Sequence, residues 1–318
     1  MKSLQKSLTT TRGNDHVRQT PHIRTSPRRR PPPELSLLRR TRRTTVSYDP
    51  NGKVVLITGS SRGIGRETAV LFAERGAKIV LNGRDPARLA ETVERMHSFG
   101  DSVWSYPADV TDPEQCRAMI DAVIARYGRL DVLVNNAGVS MRGAFADLDP
   151  SVIDSVTRVN ILGAAYPTRF ALSALRASRG SVVFISSLAG VRGFAGVSIY
   201  SAAKMALTGL AESIHAEHHS DGVHAGVLFL AFTENDPDKT IMGPDGAPMR
   251  ITRKASTTQR QAAEAVYRMV ERRTRKTYLT ASGKYLVFMQ RHFPWLTDAV
   301  ILRSKGSIHR ARRQNSSQ

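Results

Sequence analysis

The sequence holds a single cysteine, Cys116, in 318 residues. One thiol excludes an intrachain disulfide framework and a cysteine-rich zinc site, and fits a reducing compartment. Long apolar runs are also missing, and nothing approaches the roughly 18 uninterrupted apolar residues of a membrane-spanning helix. The N-terminus lacks the apolar stretch of a secretory signal, because Arg28-Arg29-Arg30 runs straight into Pro31-Pro32-Pro33. Acidic side chains are scarce at both ends. Residues 1–47 carry 12 basic and 2 acidic side chains, and residues 301–318 carry 5 and 0.

Positive charge is what the chain has in excess. The formal total of +20 first points to nucleic acid or an anionic membrane. Residues 48–300 weaken that reading, with 30 basic against 25 acidic side chains. The charge therefore describes the ends, and no specific nucleic-acid partner is expected. Composition divides the chain into a basic Pro/Arg-rich extension (1–50), one domain (51–300) and a basic tail (301–318). The extension has too little apolar surface to offset chain entropy and reads as disordered. A cytoplasmic location is expected, with the Arg- and Ser/Thr-rich, acid-poor N-terminus as the alternative signal of organelle targeting.

From Lys53 the pattern alternates. Val54 to Ile57, Lys78 to Leu81, Ser102 to Tyr106, Val132 to Val134, Ser181 to Ser186 and Val223 to Leu230 are short apolar runs suited to buried parallel strands. Helical patterns separate them, one launched by Asp85-Pro86, one running from Pro113 to Tyr127 and closed by Gly128, and a long one over 150–177. Tyr200 to His218 and Gln259 to Arg272 are further helices, residues 232–257 a long proline-containing loop, and Thr277 to Thr280 a last strand. Alternating βα units of this regularity predict an α/β fold, a doubly wound parallel sheet in a single domain.

Thr58-Gly59-Ser60-Ser61-Arg62-Gly63-Ile64-Gly65 joins the first strand to the first helix. Glycines there let the chain turn sharply and let backbone approach a diphosphate at the helix N-terminus. No Gly-Lys-Ser/Thr ending is present, which points away from ATP or GTP. The end of the second strand, Leu81-Asn82-Gly83-Arg84, lacks the carboxylate that would bond the ribose hydroxyls of NAD. Arg84 and Arg62 read instead as a cationic clamp for a 2′-phosphate, so NADP (NADPH) is the preferred cofactor, with NAD as the alternative.

Five motifs in order resemble the classical short-chain dehydrogenase/reductase family. They are Thr58-Gly59-x-x-x-Gly63-x-Gly65, Asp109-Val110, Asn135-Asn136-Ala137-Gly138, Asn160, and Ser187 with Tyr200-Ser201-Ala202-Ala203-Lys204. The resemblance is strong from Lys53 to Leu230. It implies a Rossmann-type fold and hydride transfer between a nicotinamide cofactor and a ketone, aldehyde or secondary alcohol, without a metal. It further implies a homodimer or homotetramer. Tyr200 would be the general acid/base, Ser187 would orient the substrate oxygen, and Asn160 would hold a relaying water. Lys204 would hold the nicotinamide ribose and, with the cofactor's positive ring, lower the phenol from its usual value near ~10. Gly59, Ser61, Arg62, Gly63, Ile64, Gly65, Arg84, Asp109, Val110, Asn136, Ala137 and Gly138, with Tyr200 and Lys204, form the expected cofactor site.

The chain departs from the family after the sixth strand. Leu230-Ala231 stands where Pro-Gly is usual, Thr233 is displaced, and Asn235 is the candidate replacement for the nicotinamide contact. Ser140 to Phe145 and Val191 to Val197 read as substrate walls, with Arg142, Arg192 and Phe194 in them. His215, His218 and His219 read as a helix end, not a metal site. Residues 250–291 hold 11 Lys/Arg and 2 Glu ahead of Phe293-Pro294-Trp295-Leu296, so 285–303 is a candidate peripheral membrane contact. Two rival functions are a dinucleotide sensor without turnover, and binding of nucleic acid or membrane through the basic tails.

Overall fold

Residues 48–250 and 254–303 are described by a computed structural model. Seven parallel strands form the central sheet: β1 (Val54–Ile57), β2 (Lys78–Gly83), β3 (Val103–Pro107), β4 (Val132–Asn135), β5 (Ser181–Ser187), β6 (His224–Leu230) and β9 (Lys276–Tyr278). Their order is β3-β2-β1-β4-β5-β6-β9. The order reverses between β1 and β4, which pair directly through Leu56 and Leu133. That reversal opens a crevice at the carboxyl ends of the two strands.

Strand residues alternate between two cores. Ile57, Leu81, Val134 and Ile185 face α1 (Gly63–Ala73), α2 (Pro86–Arg95) and α7 (Gln259–Arg272). Leu56, Val80, Leu133 and Phe184 face α3 (Pro113–Tyr127), α5 (Gly163–Ser178) and α6 (Ser198–His218). Burial on both faces is why these strands read as unbroken apolar runs. Local chemistry sets the helix ends. Asp85 and Asp112 accept first-turn N–H groups ahead of Pro86 and Pro113, and Gly128 ends α3 at φ +71°.

Two expectations are corrected. The helix expected over 150–177 is α4 (Pro150–Thr157) and α5, joined by a π-helical turn at Arg158–Leu162. The loop over 232–257 contains an antiparallel pair, β7 (Thr240–Met242) and β8 (Pro248–Arg250). Met242 bonds Ser140 and Arg142 through backbone, so this hairpin is stitched to the segment after β4. After β9 come α8 (Ala281–His292) and α9 (Pro294–Arg303), for which periodicity had given no assignment. Tyr48 packs on the core edge-on to Tyr267, three residues ahead of the compositional boundary at 51. The disorder expected over 1–47 and the tail after 303 lie outside the described residues.

Candidate active site

The turn after β1 is built by close backbone approach. Thr58 Oγ1 accepts the N–H groups of Asn136 and Ala137 at 3.1 Å each. Asn136 Nδ2 returns bonds of 2.9 Å to the carbonyls of Thr58 and Gly59. Side chains are excluded from this junction. Gly59 has φ +61°, and a Cβ on it would lie 2.8 Å from Ala137 Cα. One on Gly65 would lie 2.5 Å from Asn136 Nδ2. Gly63 opens α1 at φ +60°, and a Cβ there would meet nothing. Its N–H is one of the donors that a helix start leaves without an intrahelical partner, which suit an anion.

A cleft of about 230 Å³ lies over this junction. It brings together Gly59, Ser61, Arg62, Gly63 and Ile64 with Arg84, Asp109, Val110 and Asn136 to Gly138. Gly65 lies beneath the cleft against Asn136. The floor fits a dinucleotide: backbone without side chains at Gly59 and Gly63, a helix N-terminus, and arginines at the rim. Asp85 is absorbed in capping α2 and pairing with Arg88, so no carboxylate is free at the end of β2 for a ribose. Both arginines of the expected pair line the cleft, each beside an acid. Arg84 is largely exposed, 4.0 Å from Asp109, whereas Arg62 is held by Asp238 at 3.3 Å.

The other four expected residues converge beside Gly138. A Cβ on Gly138 would lie 2.8 Å from Asn160 Oδ1 and 3.3 Å from Lys204 Nζ. Asn160 sits in the π-helical turn, the kind of helix irregularity that recurs at functional sites. Its Nδ2 donates to the carbonyls of Val139 and Val156, both at 2.9 Å, while its buried Oδ1 has no partner. Lys204 Nζ donates to the Ile185 carbonyl at 3.0 Å and lies 5.7 Å from the Tyr200 ring centre. Ser187 hydrogen-bonds the Tyr200 phenol.

Electrostatics here differ from the expectation. Burial pushes the Tyr200 phenol above its ordinary value, and the Ser187 bond only partly offsets this. Burial also pushes Lys204 down to about 8, and the charge of Lys239 adds to it. Apolar side chains flank the phenol: Met141, Val152 and Val156 form a small core against which Ile199 and Tyr200 pack.

The segment after β6 supplies what the sequence reading missed. Asp236 Oδ2 accepts the Gly63 N–H at 2.9 Å, and its other oxygen takes Gln259 Nε2 at 2.9 Å and Arg66 at 3.3 Å. Burial pushes this carboxyl up, but Gln259, Arg66, the Gly63 N–H and Arg62 outweigh it, so the net direction is down. Only the spacing Glu234-x-Asp236-x-Asp238 marked this segment, and three acids in a loop do not say what they face. Asn235 lines the cleft, while Thr233 is turned away to Thr257. Arg192, expected in the substrate wall, instead pairs with Gln290 and Asp298 on α8 and α9. His218 bonds Asp221, and among the described residues no group of three or more His, Cys, Asp or Glu gathers as metal ligands would.

A family profile described as short chain dehydrogenase matches residues 53–242. The chain belongs to the short chain dehydrogenase family. Among curated proteins it is 38% identical over 195 residues to 11-beta-hydroxysteroid dehydrogenase 1A of Arabidopsis thaliana, covering 61% of this chain and 56% of that one. It is 35% identical over 187 residues to an uncharacterized oxidoreductase of Thermotoga maritima, covering 58% and 73%. The chain thus spans little more than half the length of its plant relative. A metagenomic short-chain oxidoreductase solved in complex with NADP superposes with a TM-score of 0.61 at 26% identity, covering 73% of this chain and 98% of that one. A short-chain dehydrogenase/reductase from Burkholderia phymatum, in complex with NAD, gives 0.70 at 24%, covering 78% and 96%, and bears on the fold alone. Family membership accounts for the order of the five motifs and for the crevice that unites them.

Proposed function

We propose that this protein is an NADP(H)-dependent oxidoreductase that interconverts a ketone or aldehyde and a secondary alcohol. The observation that carries the reading is the grouping of Asn160, Ser187, Tyr200 and Lys204 next to Gly138, which lines a cleft whose floor suits a dinucleotide. When bound there, the nicotinamide supplies or accepts the hydride. The chain's own residues do the rest. Ser187 donates to the substrate oxygen and holds it against the Tyr200 phenol. Tyr200, kept protonated by burial, delivers its proton to that oxygen as negative charge develops in reduction. Asn160 Oδ1, a buried acceptor without a partner, is placed to hold a water that passes protons towards Lys204.

The missing ribose carboxylate at the end of β2 and the arginines along the cleft support the phosphorylated cofactor. The solved relative in complex with NADP is in keeping with this. An apolar carbonyl substrate is in line with relatives named hydroxysteroid dehydrogenases. The test is NADPH oxidation against a broad panel of ketones and aldehydes. Turnover is expected with apolar cyclic ketones, and Tyr200→Phe should lower kcat about 10²- to 10⁴-fold with little change in KM. Absence of turnover with every carbonyl would remove the reading.

A second surface has its own observation. Tyr285, Phe288, Trp295, Val300 and Leu302 are 53–68% exposed on α8 and α9, among Lys284, Arg291 and Arg303. Aromatics mixed with cations support a peripheral contact with an anionic membrane.

A further inference from the structure

The cleft that should take a dinucleotide is already supplied with anions by the chain itself. Asp236 places a carboxylate oxygen on the Gly63 N–H, at the start of α1, where a cofactor diphosphate needs that donor. Two residues on, Asp238 Oδ2 lies 3.3 Å from Arg62 and 3.6 Å from Arg88. Both acids come from one short segment, 234–239, which the Pro237 turn carries across the cleft. A Lys239 N–H bond to the Asp236 carbonyl at 3.0 Å closes that turn. Glu234 and Asp236 clasp Gln259 through the Gln259 N–H at 2.8 Å and its Nε2 at 2.9 Å.

One N–H cannot serve Asp236 and a diphosphate at once, and the same arginines cannot pair fully with Asp238 and a phosphate. We propose that Asp236 and Asp238 are internal stand-ins for the cofactor's two anionic groups, so segment 234–239 and NADP(H) compete for the same donors. Asp236 holds the diphosphate position. Asp238 marks the 2′-phosphate position, which makes Arg88, on α2, a specificity-determining residue beside Arg62. The geometry explains why the loop has an acid at every second position in a chain otherwise rich in arginine. Monoanionic carboxylates hold the segment in place, and a diphosphate with a further phosphate outbids them by charge and by the number of oxygens offered. This inference rests on the cofactor reading above and adds the residues that gate it.

Equilibrium binding to the full chain tests it without any substrate, by titrating NADPH and NADH fluorescence. Asp236→Asn should tighten both dinucleotides by about 3- to 10-fold, the worth of one charge at a helix start. Asp238→Asn should tighten NADPH by a similar factor and leave NADH unchanged, because NADH has no 2′-phosphate. Arg88→Ala should weaken NADPH alone. Hydrogen exchange gives a second readout: saturating NADPH should speed exchange of the Gly63-facing segment, at the Lys239 amide above all. If wild type binds NADPH and both asparagine variants bind it equally or more weakly, the acids are clasps of the loop and the competition is refuted. An Asp238→Asn effect shared equally by NADPH and NADH overturns the assignment of Arg88. If neither wild type nor any variant binds either dinucleotide, the cofactor reading itself has failed, a result distinct from the other two.

Discussion

Burial moves Lys204 from the 10.5 of an ordinary lysine down to about 8, so the folded protein holds its charge at neutral pH against a desolvation cost. A lysine whose folded value is depressed is least stabilising where both states are protonated, below about 8, and the deficit closes as pH rises towards 10.5. Lys204→Met should therefore raise stability at pH 7 by roughly 1–3 kcal/mol while abolishing turnover. Urea unfolding at pH 7 and pH 9.5 checks this, and the advantage should shrink at the higher pH. Cys116 makes the opposite case. Its buried thiol is pushed up to about 12, by burial first and then by Asp112 and Asp109, so it should resist thiol reagents until the domain unfolds. At this scale the sequence was informative through the order of its motifs. Asn160, Ser187, Tyr200 and Lys204 were legible as a candidate set by their resemblance to a family pattern. The direction of the Tyr200 shift was not, because it depends on how much water the fold removes.

Strand ends and turns are where single side chains acquire structural weight. His224 starts β6 buried, with Nδ1 3.2 Å from Ser181 Oγ and Nε2 2.9 Å from the Thr274 carbonyl. Burial lowers its pKa to about 4, with Arg273 and other charges contributing. A histidine depressed in the fold leaves stability intact above its unfolded value near 6.5, and stability is lost as pH falls towards 4. The loss should reach roughly 2–3 kcal/mol over that window, and His224→Gln should remove most of it, as urea midpoints at pH 7 and pH 4.5 would show. The strands of the central sheet and the helices packed on it were legible to within a residue or two, because buried parallel strands are apolar on both faces and Asp-Pro marks helix starts. The break in the 150–177 helix was not. Its π-helical turn keeps helical composition and is defined only by which carbonyl each N–H reaches.

Across the whole molecule, two charge patterns separate. The chain's total charge of +20 reflects its ends, whereas Arg62, Arg66 and Arg88, in and beside the cleft, are paired with acids from a single loop. The exposed aromatics of α8 and α9 set a test at this scale. Trp295 fluorescence should shift to the blue on adding vesicles of anionic lipid, the shift should fall with salt, and neutral vesicles should give little. Arg192 links this surface to the segment between Ser187 and Tyr200 through Gln290 and Asp298, so α8 and α9 border that segment.

The sequence by itself determined the alternation of strand and helix and the glycine turn, and the resemblance of its motifs to a known family singled out the candidate catalytic set. The first two follow from periodicity and backbone conformation, which are local. Only the tertiary structure decided that the order reverses between β1 and β4, that Gly138 brings Asn160 to Lys204, and that Asp236 reaches Gly63 across 173 positions. Contacts between distant segments depend on how the sheet stacks its helices and where each crossover returns, and no local pattern of residue types carries that information.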